Sequence, residues 1–258
     1  MPWPMHAPRV LVTREDPTPL AEAVVIAGGE PVLLPLLHTR WLDWSLPEGR
    51  LLDDYEWVAI TSVRGLEAIA RAAARRDWPW PPEARAAAVG DRTGCELQAQ
   101  GWMPECTAPE GNAQNLVDSL RAAGVFGARI LVPCSALAEP TLADGLRQAG
   151  ASVDVVHTYT MEPVWVGSPE HLALMGRDLK DALARGCVVS FASPSAVRAL
   201  VDLAGAAGVL DALRRAPVAV LGPATANAAR GLGLTAEEAD GRSLACLARK
   251  AVALGASG

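Results

Sequence analysis

Small polar residues follow several short β-branched runs of this sequence, and these positions are the best placed for chemistry. In open parallel sheets, ligands bind beyond the carboxyl ends of the strands. Helix N-termini at such positions suit anions, because their free N–H groups carry a partial positive charge. The candidate binding residues are Thr13, Arg14, Thr61, Ser62, Arg64, Gly90, Thr93, Ser193, Pro194, Ser195, Gly222 and Thr225.

Two of these junctions have the local pattern of a helix start. Ser193 followed by Pro194 is typical of an N-cap followed by proline at the first helical position. Gly222 followed by Pro223 repeats that order and places Thr225 in the first turn. Such residues also serve as caps where no ligand binds, so each junction taken alone has a purely structural alternative.

Other catalytic motifs are absent from the sequence. The segment 90–94 lacks the GxGxxG spacing of a dinucleotide site, and no GxxxxGK[ST] phosphate loop occurs. There is no HExxH, GxSxG or paired-cysteine pattern. We therefore expect neither a metal nor a cofactor.

The elements that must position the candidate residues alternate along the chain. Short β-branched runs alternate with alanine- and leucine-rich stretches of helical periodicity, as in Leu66, Ile69 and Ala73 after Ser62. This alternation predicts an α/β protein in which a parallel sheet carries helices on both faces.

The sequence also contains an internal repeat. Gly90 returns as Gly222 after 132 residues (222 − 90), and the segment 57–64 resembles 188–195. The segment 9–13, however, resembles 129–133 and nothing near residue 140. The second copy is therefore circularly permuted, and a repeat of this length predicts two similar domains.

Two segments carry the chain between the predicted domains. They are 36–42 and 156–164, and each contains a His-Thr pair. We interpret them as crossings that pair as a two-stranded antiparallel ribbon. Residues 42–157 then form an inserted domain, and residues 7–36 join residues 165–258 in a discontinuous domain.

Composition and charge exclude several classes of protein. The formal net charge of −6 argues against a nucleic-acid binder, which is usually basic. Five cysteines without CxxC spacing are typical of reduced thiols in a cytoplasmic protein. The N-terminus lacks the pattern of a signal peptide, and no apolar stretch reaches membrane-spanning length. We expect a cytoplasmic protein that binds neither nucleic acid nor membrane.

Together these motifs resemble the uroporphyrinogen-III synthase family, which closes the tetrapyrrole ring in haem biosynthesis. The resemblance rests on the order and spacing of short segments from residue 10 to residue 233. These segments are Val10-Leu11-Val12-Thr13-Arg14, Ile60-Thr61-Ser62 with Arg64, Ala88-Val89-Gly90 with Thr93 and Gly101, Leu131-Val132-Pro133, Tyr159, Phe191-Ala192-Ser193-Pro194-Ser195-Ala196-Val197, and Leu221-Gly222-Pro223 with Thr225-Ala226 and Gly233.

The resemblance implies two flavodoxin-like parallel-sheet domains joined by a two-stranded ribbon, with an active-site cleft between them. The sequence departs from the family at two places. The strand end at 133–136 lacks the glycine or arginine often found there, so Ser135 is not among the candidate binding residues. The residues after Tyr159 are one position off the family's usual spacing to threonine and proline.

The resemblance also implies a reaction. The family converts hydroxymethylbilane, a linear tetrapyrrole with eight carboxylates, into uroporphyrinogen III with inversion of ring D and loss of water. Neither a metal nor a cofactor is needed. Tyr159 is the implied catalytic residue, because its phenol could donate a hydrogen bond to the departing hydroxyl. We expect a monomer that meets the preceding and following pathway enzymes only transiently.

Two alternatives remain open from the sequence. A non-catalytic two-domain binding or regulatory protein that closes on a small anionic ligand fits the composition nearly as well. A fused pair of response-regulator-like domains is disfavoured, because neither half has the acidic cluster at strand ends that phosphotransfer to aspartate requires.

Overall fold

The computed structural model describes residues 7–47, 49–108 and 112–256. In chain order its elements are β1 (Arg9–Val12), α1 (Thr18–Ile26), β2 (Glu30–Leu33), β3 (Leu37–Trp41), a 3₁₀ turn (Leu52–Asp54), β4 (Trp57–Ile60), α2 (Val63–Arg76), β5 (Arg85–Val89), α3 (Asp91–Ala99), β6 (Pro104–Ala108), α4 (Ala113–Ala122), β7 (Arg129–Ser135), α5 (Thr141–Gln148), β8 (Ser152–Pro163), α6 (Pro169–Ala184), β9 (Val188–Phe191), α7 (Pro194–Ala206), α8 (Leu210–Arg215), β10 (Val218–Val220), α9 (Pro223–Gly231), β11 (Ala236–Glu238) and α10 (Leu244–Ala256). Residues 1–6, where the sequence predicts no signal peptide, lie outside the described part of the chain.

The chain folds into two compact units. Unit 1 consists of Met1–Thr39 and Glu162–Gly258, and unit 2 consists of Arg40–Met161. The division into the domains defined above from the sequence stays a prediction. Among the described residues, no helix combines the length and apolar character needed to cross a membrane.

Each unit is built on a sheet whose central strands are buried on both faces. All four residues of β4 are buried, and so are all four residues of β9. Central parallel strands are covered by helices on both sides, so they form continuous apolar runs without a polar face. The predicted α/β class with parallel sheets is confirmed.

The strand orders show the permutation directly. Unit 1 has the order β2-β1-β9-β10-β11, and five strands of unit 2 have the order β8-β7-β4-β5-β6. All neighbouring pairs within these two runs are parallel. Strands β1 and β2 therefore take the places of β7 and β8, although they come first in the chain. Numbered along the chain, the strands of unit 1 follow the flavodoxin-like order 2-1-3-4-5, and those of unit 2 have its circularly permuted form, 5-4-1-2-3.

The register of the strands is repeated as well. Val10 lies opposite Val188 in unit 1, and Ile130 lies opposite Trp57 in unit 2. These are the residues that the repeat aligns, since 9–13 corresponds to 129–133 and 57–64 corresponds to 188–195. The internal repeat predicted from the sequence is therefore confirmed down to single residues.

Unit 2 has separate hydrophobic cores on the two faces of its sheet. Trp57 and Ala59 belong to one cluster, while Val58 and Ile60 belong to the other. Successive side chains of a strand point to opposite faces, so β4 alone contributes to both clusters. In unit 1, one core cluster joins β1, α1, β9, β10 and α10.

Strand β3 is the neighbour of β8 at the edge of the six-stranded sheet. The Leu42 N–H donates to the Thr158 carbonyl, and the Val164 N–H donates to the Leu36 carbonyl, both at 3.0 Å. Residue numbers rise along one strand as they fall along the other, so this pair is antiparallel. The predicted role of the pair as a ribbon joining two domains stays a prediction.

Candidate functional site

The predicted polar residues lie at the carboxyl ends of parallel strands in each unit. Thr13 and Arg14 follow β1, Thr61 and Ser62 follow β4, Gly90 follows β5, Ser193 follows β9, and Gly222 follows β10. Parallel strands share one direction, so the residues of each unit lie along one edge of its sheet. This edge is where ligands bind in open α/β sheets.

Two serines that correspond in the repeat begin corresponding helices. Ser62 is the N-cap of α2, and its Oγ accepts a hydrogen bond from the Gly65 N–H at 3.1 Å. Ser193 is the N-cap of α7, where its Oγ accepts from the Ala196 N–H at 3.4 Å and lies 3.1 Å from the Ser195 Oγ. The predicted cap at Ser193, followed by proline, is confirmed.

Two glycines begin the next helices of the two units. Gly90 is the N-cap of α3 with φ of 81°, a left-handed conformation that favours glycine. Gly222 is the N-cap of α9, and it is extended, with φ of −174°. Neither glycine has a side chain that could accept a hydrogen bond from the first N–H groups of α3 and α9, although the Thr225 N–H donates to the Gly222 carbonyl at 3.1 Å.

Tyr159 lies in unit 2 beside the start of α2. Its hydroxyl is 3.0 Å from the Ser62 Oγ, and its side chain is almost fully buried. Its carbonyl accepts a hydrogen bond from the Ala136 N–H at 2.8 Å, and its ring centroid is 6.2 Å from that of Trp41. The structure therefore brings Tyr159 and Ser62 together, although they are 97 residues apart in sequence.

A β-bulge determines the direction of the Tyr159 side chain. The register passes from Cys134 opposite His157 to Ser135 opposite Tyr159, so β8 has one extra residue, Thr158. His157 is exposed, whereas residues 158–160 are all buried, so the alternation of a regular strand is absent at this point. A bulge of this kind turns the following side chains toward a new direction, and bulges are frequent beside active sites.

Three of the four candidate threonines, Thr13, Thr93 and Thr225, are buried, and Thr61 is partly buried. The Thr13 Oγ1 donates to the Ser190 carbonyl at 2.9 Å, and the Ser190 Oγ donates to the Leu11 carbonyl at 2.7 Å. These two bonds tie β1 to β9. In this arrangement the Thr13 hydroxyl forms a hydrogen bond within the sheet. Its role as a substrate contact stays a prediction.

The two candidate arginines belong to different units. Arg14 follows β1, and its Nε donates to the Asp16 carbonyl at 3.3 Å. Arg64 is half-buried in the first turn of α2, two residues after Ser62. Each offers a positive charge near the strand ends, where an anionic ligand would need one.

Sequence reasoning missed Gly65, which allows the start of α2 to approach β7. A Cβ atom at this position would lie 2.7 Å from the Pro133 carbonyl oxygen, closer than real Cβ contacts come. Its counterpart in the repeat, 131 residues later, is Ala196. The signal available in the sequence was a glycine three residues after the N-cap, where a helix former is expected.

The described residues contain no group of three or more histidine, cysteine, aspartate or glutamate side chains that could hold a metal ion. The candidate groups in each unit are hydroxyl groups, helix N-termini and one arginine, and unit 2 also has the buried phenol of Tyr159. This set of groups can hold carboxylates and donate a hydrogen bond.

Comparison with known proteins gives consistent results. The sequence profile of the family described as uroporphyrinogen-III synthase HemD matches residues 18–245. A Methanothermobacter thermautotrophicus protein, provisionally named a uroporphyrinogen-III synthase, is 29% identical over 238 residues, which cover 87% of this chain and 90% of that protein. A uroporphyrinogen-III synthase of Synechococcus elongatus is 28% identical over 236 residues, covering 86% and 85% respectively.

Solved structures show the same fold. The structure of a mutant uroporphyrinogen III synthase from the extremely thermophilic bacterium Thermus thermophilus superimposes with a TM-score of 0.62 at 19% identity, covering 98% of this chain and 100% of that one. Fold and family profile together define an enzyme class of porphyrin and haem biosynthesis. The chain belongs to the uroporphyrinogen-III synthase family.

Proposed function

We propose that this chain is an active uroporphyrinogen-III synthase, a lyase that cyclises hydroxymethylbilane to uroporphyrinogen III with inversion of ring D and loss of water. The observation that carries the proposal is the family match across residues 18–245. The polar residues at the strand ends of each unit also support the proposal, because hydroxyl groups and helix N-termini can bind the eight carboxylates of the substrate.

The proposed reaction proceeds in three steps. The hydroxymethyl C–O bond breaks, and the hydroxyl leaves as water after it receives a proton, which produces an electrophilic azafulvene. Ring D attacks this carbon through its own substituted carbon and forms a spiro intermediate. The intermediate then fragments at the bond between ring D and the methylene bridge to ring C. Ring D bonds again to that methylene carbon through its free α-carbon, which loses a proton, so ring D is inverted. Uncatalysed closure gives the uninverted isomer, so the main task of the enzyme is to hold a flexible chain in one geometry.

Helix N-termini supply much of the proposed carboxylate binding. The first turns of α3 and α9 follow Gly90 and Gly222, which have no side chain to cap them. Backbone N–H groups at such positions bind anions without a large excess of lysine and arginine. This accounts for a protein of net charge −6 that acts on an octa-anion. The proposed substrate contacts are Thr13, Arg14, Thr61, Ser62, Arg64, Gly90, Thr93, Ser193, Pro194, Ser195, Gly222 and Thr225.

Tyr159 is the proposed proton donor to the departing hydroxyl. The Ser62 Oγ accepts from the Gly65 N–H, so the Ser62 O–H can donate to the Tyr159 oxygen. The phenolic proton of Tyr159 is then left to point at the substrate. General acid catalysis typically contributes about 10²–10⁴-fold to a rate.

The test is isomer analysis of the product. The chain is incubated with freshly generated hydroxymethylbilane, the products are oxidised to porphyrins, and isomers I and III are separated by chromatography. We expect isomer III to predominate, whereas heat-denatured protein yields isomer I. A protein that binds hydroxymethylbilane but leaves isomer I as the product would be the non-catalytic binding protein, and the proposal would be wrong.

A further inference from the structure

Unit 2 contains a cavity of about 460 Å³ beside α2, distinct from the strand ends described above. It is lined by residues of β3, of the segment that follows β3, of α2 and of β8, including Trp41, Trp44, Ala68, Ala74 and Thr158. Cavities of roughly 300–1,000 Å³ lined by aromatic and apolar side chains are typical binding sites for small molecules.

The aromatic lining of this cavity is held in place by arginines of α2. The Arg71 guanidinium carbon lies 4.3 Å from the ring centroid of Trp41, and that of Arg76 lies 5.2 Å from the ring centroid of Trp44. Arg76 also donates to the Trp44 carbonyl at 2.8 Å. Both indoles are only partly buried, so they present ring surface to the cavity.

The same part of α2 carries a cluster of positive charges. Arg71 and Arg75 line the cavity and are four residues apart, so they are neighbours on one helix face and repel each other. In the described part of the chain, Arg71, Arg75 and Arg76 have no carboxylate within salt-bridge distance. A bound anion would relieve this repulsion.

The arginines of the cavity lie well along α2 from Ser62, whereas Trp41 on its wall is close to the candidate site, with its ring centroid 6.2 Å from that of Tyr159. Arg71 and Arg75 come 9 and 13 residues after Ser62 (71 − 62 and 75 − 62). At about 1.5 Å per residue, they are roughly 14 and 20 Å further along the helix axis. The charges around the cavity are therefore separate from Arg64 and from the N-terminus of α2.

We propose that this cavity binds a small aromatic carboxylate, independently of the proposed reaction. The ring packs against Trp41 and Trp44, and the carboxylate pairs with Arg71 and Arg75. Ala68 and Ala74 leave the space that larger side chains would fill. An arginine and a carboxylate form directed, charge-assisted hydrogen bonds, and the indoles select for a flat ring.

The test is isothermal titration calorimetry at low ionic strength with 2-naphthoate as the probe. Two comparison compounds separate the contributions: 2-naphthylmethanol keeps the ring without the charge, and cyclohexanecarboxylate keeps the charge without the aromatic ring. We expect one site per chain and binding of 2-naphthoate at least about tenfold tighter than either comparison compound. Absence of saturable binding, or equal binding of the neutral alcohol, would overturn the proposal.

Matched charge reversals locate the site. Arg75→Glu should weaken 2-naphthoate binding at least about tenfold, and Arg75→Gln should weaken it less. Arg198→Glu makes the same charge change on the exposed face of α7 in unit 1, and it should leave the affinity within about twofold. Arg64→Glu should also leave it within about twofold. A loss with Arg64→Glu and none with Arg75→Glu would place the ligand at the candidate site and contradict the proposal.

Discussion

At the scale of single residues, the hydrogen bond between Ser62 and Tyr159 links a helix cap to the proposed acid. The Ser62 oxygen accepts from the Gly65 N–H, and the Ser62 Oγ lies 3.0 Å from the Tyr159 hydroxyl, where either hydroxyl can be the donor. The other tyrosine, Tyr55, has a different partner, since its hydroxyl donates to the Asp154 Oδ2 at 2.9 Å. The two phenols are therefore a natural pair for comparison.

Tyr159→Phe should lower kcat by about 10²–10⁴-fold, because the variant lacks the proton donor but keeps the ring. The free energy of unfolding should fall by only about 1 kcal/mol, the usual worth of one hydrogen bond. Tyr55→Phe is the control: it also removes a buried phenol hydroxyl, and its kcat should be unchanged. Full activity of Tyr159→Phe would remove Tyr159 as the acid and leave positioning by backbone groups as the source of catalysis.

Cysteine reactivity gives a second prediction at this scale. A hydrogen bond from the Ser243 hydroxyl at 3.1 Å, together with the Arg249 guanidinium nearby, lowers the pKa of the Cys246 thiol. Burial instead raises the pKa of Cys134 and of Cys187. A lower pKa means a larger thiolate fraction at a given pH, and the thiolate is the form that reacts.

The rate of alkylation of Cys246 by iodoacetamide, followed by mass spectrometry, should therefore rise through a midpoint below that of an ordinary thiol. Ser243→Ala should move this midpoint to higher pH, because the thiolate loses its main hydrogen-bond donor. Cys134 and Cys187 should react slowly throughout, since both are buried. An unchanged midpoint in Ser243→Ala would show that the hydroxyl does not stabilise the thiolate.

At the scale of secondary structure elements, the close approach of α2 to β7 brings Ser62 near Tyr159. The approach depends on Gly65, because any side chain there would meet the Pro133 carbonyl oxygen. By contrast, Gly205 in α7 has no atom within 4 Å of the position that a Cβ would take. The two helical glycines therefore predict opposite effects of the same substitution.

Gly65→Ala should destabilise the protein by about 1–3 kcal/mol, since overpacking against backbone outweighs the better helix propensity of alanine. Gly205→Ala should stabilise it by up to about 1 kcal/mol, because only the propensity term applies. Urea unfolding curves of both variants measure the difference. If both substitutions stabilise the protein equally, the contact between α2 and β7 is not tight.

At the scale of the whole molecule, charge opposes the approach of the proposed substrate. A chain of net charge −6 repels an octa-anion at long range, so binding must come from nearby helix N-termini and arginines. Salt weakens such exposed short-range contacts as the screening length falls from about 30 Å at 0.01 M to about 3 Å at 1 M.

The apparent KM for hydroxymethylbilane should therefore rise with ionic strength, while kcat changes little. Steady-state kinetics from low to high sodium chloride measure this dependence, and sucrose at matched osmolality is the uncharged control. A KM that stays constant across the whole salt range would contradict the proposed binding of carboxylates by dipoles and arginines.

Much of the fold could be predicted from the sequence. The similarity of 9–13 to 129–133, and of 57–64 to 188–195, predicted two similar domains related by a permutation, and the two sheets do share equivalent strand positions and registers. The similarity predicted this because buried parallel strands need the same apolar residues at the same positions in each copy. The strand-to-helix junctions were also predictable, because caps such as Ser193 act on residues only three positions away.

The placement of Tyr159, the packing of Gly65 and the cavity beside α2 were decided only by the tertiary structure. Local periodicity indicates which residues of a regular strand face a core. The bulge at Thr158 interrupts that periodicity and changes the direction of the Tyr159 side chain, and it arises from the pairing of β8 with β7. Position 65 requires glycine because the Pro133 carbonyl oxygen lies too close for a Cβ atom. Trp41 lines a cavity because α2 packs beside it. Contacts between residues so far apart in the chain arise from packing, and no short segment of sequence contains them.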